Sequence, residues 1–235
     1  MPPPDETSAA GSSGVIQPDL QIEIVVTEPF SENTLIVWNG SGAECVVVDP
    51  GFESPRIIRR IEELGKRPVA ILLTHGHVDH IAGVGPLKSK WSELPILIGQ
   101  NDAPMLGDAK LNLSVWGGMP ITAPPADRLL VEGDTVEFAG LTFSILDIPG
   151  HSPGHIVYVW RQGARTIVLG GDVLFQGSVG RTDFPGGNSL LLLKGIRKKL
   201  FALPEESVVY PGHGPSTTIG AERRENPFCG DEQFR

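Results

Sequence analysis

Cysteine is nearly missing from this chain, with two residues, Cys45 and Cys229, in 235. Two thiols do not make a disulfide framework. Cys45 lies inside the apolar run Cys45–Val48 and reads as a small buried hydrophobe, and nothing around Cys229 suggests an activated thiol. Long apolar runs are missing as well. No stretch approaches transmembrane length, and residues 1–14 have neither the basic n-region nor the apolar h-region of a signal peptide. No membrane partner and a cytoplasmic location are therefore expected. Basic charge is scarce: 19 Lys and Arg stand against 28 Asp and Glu, for a net charge of −9, and the one basic block is Arg197-Lys198-Lys199. A nucleic-acid partner would require a basic footprint, so none is expected.

What the chain does have is turns and apolar strands. Hydrophobic residues make up 40%, enough for a sizeable core, while 29 Gly and 21 Pro imply many short elements. Residues 1–18 read as a flexible tail and 19–235 as a single domain, since no linker divides them. β-like runs fall at 20–27, 33–38 and 44–48. A helix is expected next, with Ser54 as N-cap, Pro55 at the first helical position, a stripe of Ile57, Ile58, Ile61 and Leu64, and Gly65 as its end. Strands follow at 69–73 and 95–98, with a short helix within 80–90. The segment 100–125 is the least legible and reads as packed helix and loop. Thr135–Phe138 and Leu141–Ile148 form a hairpin about Ala139-Gly140. Strands at 156–160 and 166–169, a helix capped by Asn188, and a final strand Val208–Tyr210 complete the reading. Two sheets with helices outside fit this order better than one doubly wound parallel sheet.

Half of the six histidines stand in Thr74-His75-Gly76-His77-Val78-Asp79-His80, directly after the apolar run Val69–Leu73. A strand that breaks into a Gly-containing loop delivers its next side chains at the sheet edge, where ligand sites collect. His75 and His77 can converge on one point, and Asp79 and His80 on a neighbouring one. Four nitrogen and oxygen donors packed this tightly gain little as plain helix or strand, and their chemistry is that of metal ligands.

The same device recurs. An apolar strand, a Gly-bearing turn and a metal-type donor occur at His75, His151, Asp172 and His213. Counted together, His75, His77 and His151 can make one triad, and Asp79, His80 and His213 another. Asp172 has two oxygens and is suited to bridge two cations. Imidazole and carboxylate without thiolate suit two divalent ions, Zn first, with Fe, Mn or a mixed pair equally compatible with the ligand set. Three protein ligands plus a bridge leave a position open for water, as catalytic sites do. His155 is expected to support the site from behind or to pack at a strand start.

These motifs together resemble the metallo-β-lactamase-fold hydrolases: His75-Gly-His77-Val-Asp79-His80, His151 in Pro-Gly-His-Ser-Pro-Gly-His, Asp172 in Gly-Gly-Asp, and His213 in Pro-Gly-His-Gly. The resemblance covers residues 20–228. It implies an α+β fold of αββα type, a four-layer sandwich of two mixed β-sheets flanked by helices, with a dinuclear site at one sheet edge. It also implies that each triad holds one ion, that Asp172 bridges them, and that Asp79 orients the attacking hydroxide, so that Asp79 and Asp172 are both catalytic. The run from Gly171 to Gly187 and the closing Thr217–Pro227 are similar to small, single-domain glyoxalase II-like bacterial proteins. The implied substrate is a small-molecule thioester such as S-D-lactoylglutathione, cleaved to D-lactate and free thiol. Full-length glyoxalase II enzymes carry a helical domain whose basic residues hold glutathione, and the chain after His213 is too short for one. Arg181 and Arg223 (or Arg224) are the remaining candidates for substrate contact.

An alternative within the same fold is a mononuclear-iron persulfide dioxygenase, which shares the Gly-Arg-Thr-Asp-Phe stretch found here at 180–184 and uses His75-, His151- and Asp172-type ligands. A β-lactamase is less expected without an export segment, and a nuclease is opposed by the acidic balance.

Overall fold

The strands of the first half of the chain join one sheet, and the longer strands of the second half join another. The computed structural model describes residues 19–234, so the tail expected over 1–18 lies outside the described residues. The first sheet runs in sequence order through β1 (Leu20–Thr27), β2 (Glu32–Asn39), β3 (Glu44–Val48), β4 (Arg67–Leu72), β5 (Ile96–Gly99) and β6 (Arg128–Leu130). It is antiparallel up to β3 and parallel from β3 onward. The second sheet contains β7 (Thr135–Phe138), β8 (Leu141–Asp147), β9 (Ile156–Gln162) and β10 (Arg165–Gly171) as an antiparallel meander. A small hairpin, β11 (Leu174–Phe175) with β12 (Ser178–Val179), follows. The sheet is completed by β13 (Val208–Pro211), parallel to β10, and β14 (Thr217–Thr218), antiparallel to β13.

Strands buried on both faces read as continuous apolar runs, and the side-chain period of two then distributes them. In β3, Val46 and Val48 enter the core between the sheets while Cys45 and Val47 face the helices outside. In β9, Ile156, Tyr158 and Trp160 point inward, and Val157 and Val159 point to the opposite helical layer. The outer layers are α1 (Ser54–Glu63), α2 (Val78–Ile81), α3 (Val84–Lys90) and α4 (Ala103–Gly107) on the first sheet. On the second are α5 (Ser189–Gly195), prolonged by a π-helical turn Ile196–Leu200, and α6 (Ile219–Glu225). The αββα, four-layer sandwich of two mixed sheets is thereby present. No helix among the described residues is long and apolar enough to cross a membrane.

Local expectations fare unevenly. Asn188 does cap α5, its side chain accepting from Leu191 N. Ser54 does not cap α1: Glu53 holds that place in the left-handed region at φ 57°, and no side chain bonds the helix start. Val208–Pro211 is not the final strand, because Thr217–Thr218 folds back onto it. The segment 100–125 contains α4 and two short 3₁₀ turns, Gln100–Asp102 and Ser114–Gly117.

Candidate metal centre

Four strand ends carry the donors to one edge of the sandwich. β4 runs through Leu73 into Thr74 and His75, the β8–β9 connection holds His151, β10 runs into Asp172, and β13 runs into His213. Backbone bonds close the edge across the two sheets. Ile156 N donates to Thr74 O at 2.9 Å, Gly212 N to Gly171 O at 2.8 Å, and Asn33 N to Gly212 O at 2.7 Å. The buried Tyr158 hydroxyl donates to Leu73 O at 3.1 Å, which fixes the histidine-bearing strand to the second sheet.

The first triad is drawn tightly together. His75 Nε2 lies 3.0 Å from His77 Nδ1, which lies 2.9 Å from His151 Nε2. The far nitrogens decide the tautomers. Thr74 Oγ1 gives its proton to Asp49 Oδ2 at 2.6 Å and so accepts from His75 Nδ1 at 3.1 Å. His151 Nδ1 donates to Arg181 O at 2.8 Å. In the neutral rings both Nε2 atoms are then bare, and at most one proton is available among three facing nitrogens. Lone pairs held this way repel unless a cation lies between them.

The second cluster obeys the same rule. His80 Nδ1 donates to Asp49 Oδ2 at 3.0 Å, and His213 Nδ1 to Phe30 O at 3.1 Å, so each Nε2 is left facing the site. His213 Nε2 is 3.2 Å from Asp79 Oδ2, and His80 Nε2 is 3.7 Å from the same oxygen. Asp172 stands between the clusters, with Oδ2 3.5 Å from His151 Nε2 and Oδ1 3.5 Å from His80 Nε2. Buried His80 Nε2 and Asp172 Oδ1 have no hydrogen-bond partner. Such orphans are costly in a folded protein, and a cation between them would satisfy both. A Cβ on Gly212 would collide with Asp172 Oδ1 and the His80 ring, so the backbone there is kept clear. The residues present fit metal ions on both sides of Asp172.

The electrostatics agree. Burial and the neighbouring imidazoles hold His75 well below the ordinary histidine range, and burial with His151 brings His77 to about 3. Both are neutral at working pH. Burial opposes a proton on His80, but Asp79 and Asp172 outweigh it and raise the group well above its ordinary value. Burial likewise raises Asp172, yet His80, His151 and His213 pull it below the carboxylate range.

All seven expected donors, His75, His77, Asp79, His80, His151, Asp172 and His213, thus meet at one edge. His155 stands behind them. Its Nε2 accepts from Asp172 N at 2.9 Å, and its ring stacks on His75 at 4.7 Å between centroids. Arg181 lines the cleft above the cluster, but Arg223 is tied to Asp231 at 3.0 Å and Arg224 to Glu205 at 3.1 Å, and neither lines that cleft. Burial pushes both Cys45 and Cys229 up to about 12, which makes neither a nucleophile.

Three supporting residues escaped sequence reasoning. Asp49, directly after β3, accepts from Thr74 N at 2.7 Å, from Thr74 Oγ1 and from His80. Asp102 is buried and accepts from Gly76 N at 3.1 Å, Ser152 Oγ at 2.5 Å and Gly154 N at 2.6 Å, which ties the two histidine loops together. Asn33 Nδ2 donates to Pro211 O at 3.0 Å and Gly214 O at 2.8 Å, bracketing His213. Asp49 and Asn33 sit at strand ends, a position that could have signalled them. Asp102 carries no local signal.

The fold and this double cluster define a class. The Metallo-beta-lactamase superfamily profile matches residues 27–213, and the chain belongs to that superfamily. It is 44% identical over 190 residues to the probable metallo-hydrolase YqgX of Bacillus subtilis (strain 168), covering 80% of this chain and 88% of that protein. It is 37% identical over 210 residues to the hydroxyacylglutathione hydrolase GloC of Haemophilus influenzae (strain ATCC 51907 / DSM 11121 / KW20 / Rd), covering 89% and 98%. Among solved structures, the BLEG-1 B3 metallo-beta-lactamase superposes with a TM-score of 0.83 at 39% identity, covering 89% of this chain and 99% of that one. TTHA1623 in a di-iron-bound form superposes with a TM-score of 0.76 at 40% identity, covering 88% and 99%.

Proposed function

We propose that the protein is a metal-dependent hydrolase that transfers an acyl group from a thiol carrier to water. The observation that carries this reading is the pair of donor sets meeting at Asp172 beneath an open cleft of about 510 Å³. His75, His77 and His151 would hold one divalent ion, Asp79, His80 and His213 a second, and Asp172 would be shared. Ions bound there would bring the pKa of water toward neutrality and polarise an acyl carbonyl.

The chain's own groups do the rest. Burial raises the Asp79 carboxyl, but His80 and His213 more than offset this and keep it ionised. Asp79 lines the cleft floor, where it can accept a proton from an attacking water and orient it. Asp49, His155 and the Phe30 carbonyl fix the imidazoles and Asp172 in place, so little reorganisation is needed during reaction. Water adds to the carbonyl carbon, the C–S bond breaks, and carboxylic acid and thiol leave.

The name of the Haemophilus relative supports a hydroxyacyl thioester as substrate, and the di-iron form of TTHA1623 supports two ions, with Zn, Fe, Mn or a mixed pair as the candidates. The B3 lactamase neighbour motivates a second reading, β-lactam hydrolysis, since an amide carbonyl meets the same geometry. The test is metal content of the purified protein beside turnover of S-D-lactoylglutathione, a β-lactam, and O₂ uptake on glutathione persulfide. About two equivalents with lactate release support the proposal. One iron with O₂ uptake and no lactate, or β-lactam turnover alone, overturns it.

A further inference from the structure

Above the donors the cleft is walled by apolar side chains: Phe30, Leu113, Trp116, Phe175, Val179 and Phe184. The wall is built, not incidental. Phe184 stands edge-on to His77 at 5.8 Å and to Trp116 at 6.1 Å, and Phe175 stands edge-on to His213 at 6.2 Å. Trp116 nevertheless leaves 64% of its surface open, and Phe30 leaves 50%. Large aromatic faces open to water beside a recessed polar floor are surfaces a ligand would cover.

Charge at the same mouth is cancelled. Apart from histidines, Arg181 is the single cationic side chain among the described residues lining the cleft. One edge of its fork is paired with Asp183, Nε to Oδ1 at 2.7 Å and Nη2 to Oδ2 at 2.7 Å, and its Cζ lies 4.0 Å from the Phe184 ring centroid. A carboxylate on the carrier would meet a guanidinium whose charge Asp183 already offsets, and the chain's net charge of −9 gives no long-range attraction.

We propose that the cleft recognises a thioester whose thiol portion is apolar and uncharged, resting on the thioesterase reading above and refining its substrate class. The acyl group occupies the polar floor near Asp79 and Asp172, and the thiol portion lies against Trp116 and Phe184.

The experiment compares two esters with the same D-lactoyl group, one of glutathione and one of benzyl mercaptan, on the zinc-reconstituted full chain. The expected kcat/KM favours the benzyl ester by about tenfold or more, the return for covering roughly one aromatic ring. Trp116→Ala, checked for unchanged metal content, is expected to reduce that preference severalfold, with the loss in KM for the benzyl ester. Equal or better turnover of the glutathione ester overturns the proposal while leaving the thioesterase reading standing. An unchanged preference in Trp116→Ala overturns it as well. Hydrolysis of neither ester overturns the thioesterase reading and the proposal with it. The wild-type ratio decides the matter even should the variant fail to fold.

Discussion

Asp102 offers the sharpest test of how the site is held, because it touches none of the seven donors. Its Oδ2 accepts from Gly76 N and Ser152 Oγ, and its Oδ1 accepts from Gly154 N. Asp102→Asn keeps the volume but exchanges one acceptor oxygen for an NH₂ group. In one flip that group faces Gly154 N, and in the other it faces Gly76 N, so one buried backbone N–H loses its partner either way. An unsatisfied buried donor costs about 1–3 kcal/mol. Asp102→Ala strands all three donors and leaves a cavity, which should cost roughly 3 kcal/mol or more. Against a typical domain stability of about 5–15 kcal/mol, the Asn variant stays folded. Because Gly76 sits between His75 and His77, and Ser152 follows His151, the first triad loosens with it. Metal affinity should fall roughly 10- to 100-fold, as for lost supporting bonds elsewhere. Urea unfolding of the metal-free protein measures the first effect, and chelator competition measures the second. An Asn variant within about 0.5 kcal/mol of wild type, the range of an ordinary surface change, and with unchanged affinity would refute the reasoning.

Asp172→Ala removes the one carboxylate placed between the clusters and should abolish hydrolysis along with at least one metal equivalent; elemental analysis beside the thioester assay checks it, and full activity with both metals retained would sink the site assignment. His155→Ala strands the Asp172 N–H but no donor, so metal content should stay near two while affinity weakens; loss of a whole equivalent would make His155 a ligand. In the metal-free protein, Asp79 and Asp172 raise His80 well above its ordinary value, against an unfolded value of about 6.5. The folded state then binds the proton more tightly than the unfolded one. That stabilisation is fully present below about pH 6.5 and is lost as pH rises through the folded pKa. Wild type should therefore exceed His80→Gln in metal-free stability most at low pH, with the gap closing above neutrality in urea titrations; a gap that widens with pH contradicts the assignment.

Much of this protein was legible in its sequence, for definite reasons. Continuous apolar runs that end in Gly-bearing turns declare strands buried on both faces, and the donors His75, His151, Asp172 and His213 follow those turns directly. Covalent neighbours cannot avoid proximity, so the 74–80 stretch announced its chemistry before any fold was known. What the sequence left open is whatever depends on contacts between distant segments. Asp102 lies in the least legible stretch, yet it joins Gly76 to Ser152 and Gly154. Asp49 stands in Asp49-Pro50-Gly51, whose local pattern is that of a turn, and only packing sets it against Thr74 and His80. Arg181 and Arg223 were indistinguishable as candidate anion contacts; the tertiary structure set one over Phe184 at the cleft and the other against Asp231. Periodicity and turn chemistry act over a few residues, and they determined the strands and the types of donor that follow them. Tautomers, supporting bonds and the apolar wall of the cleft arise only when the two sheets meet, and the folded chain alone decided them.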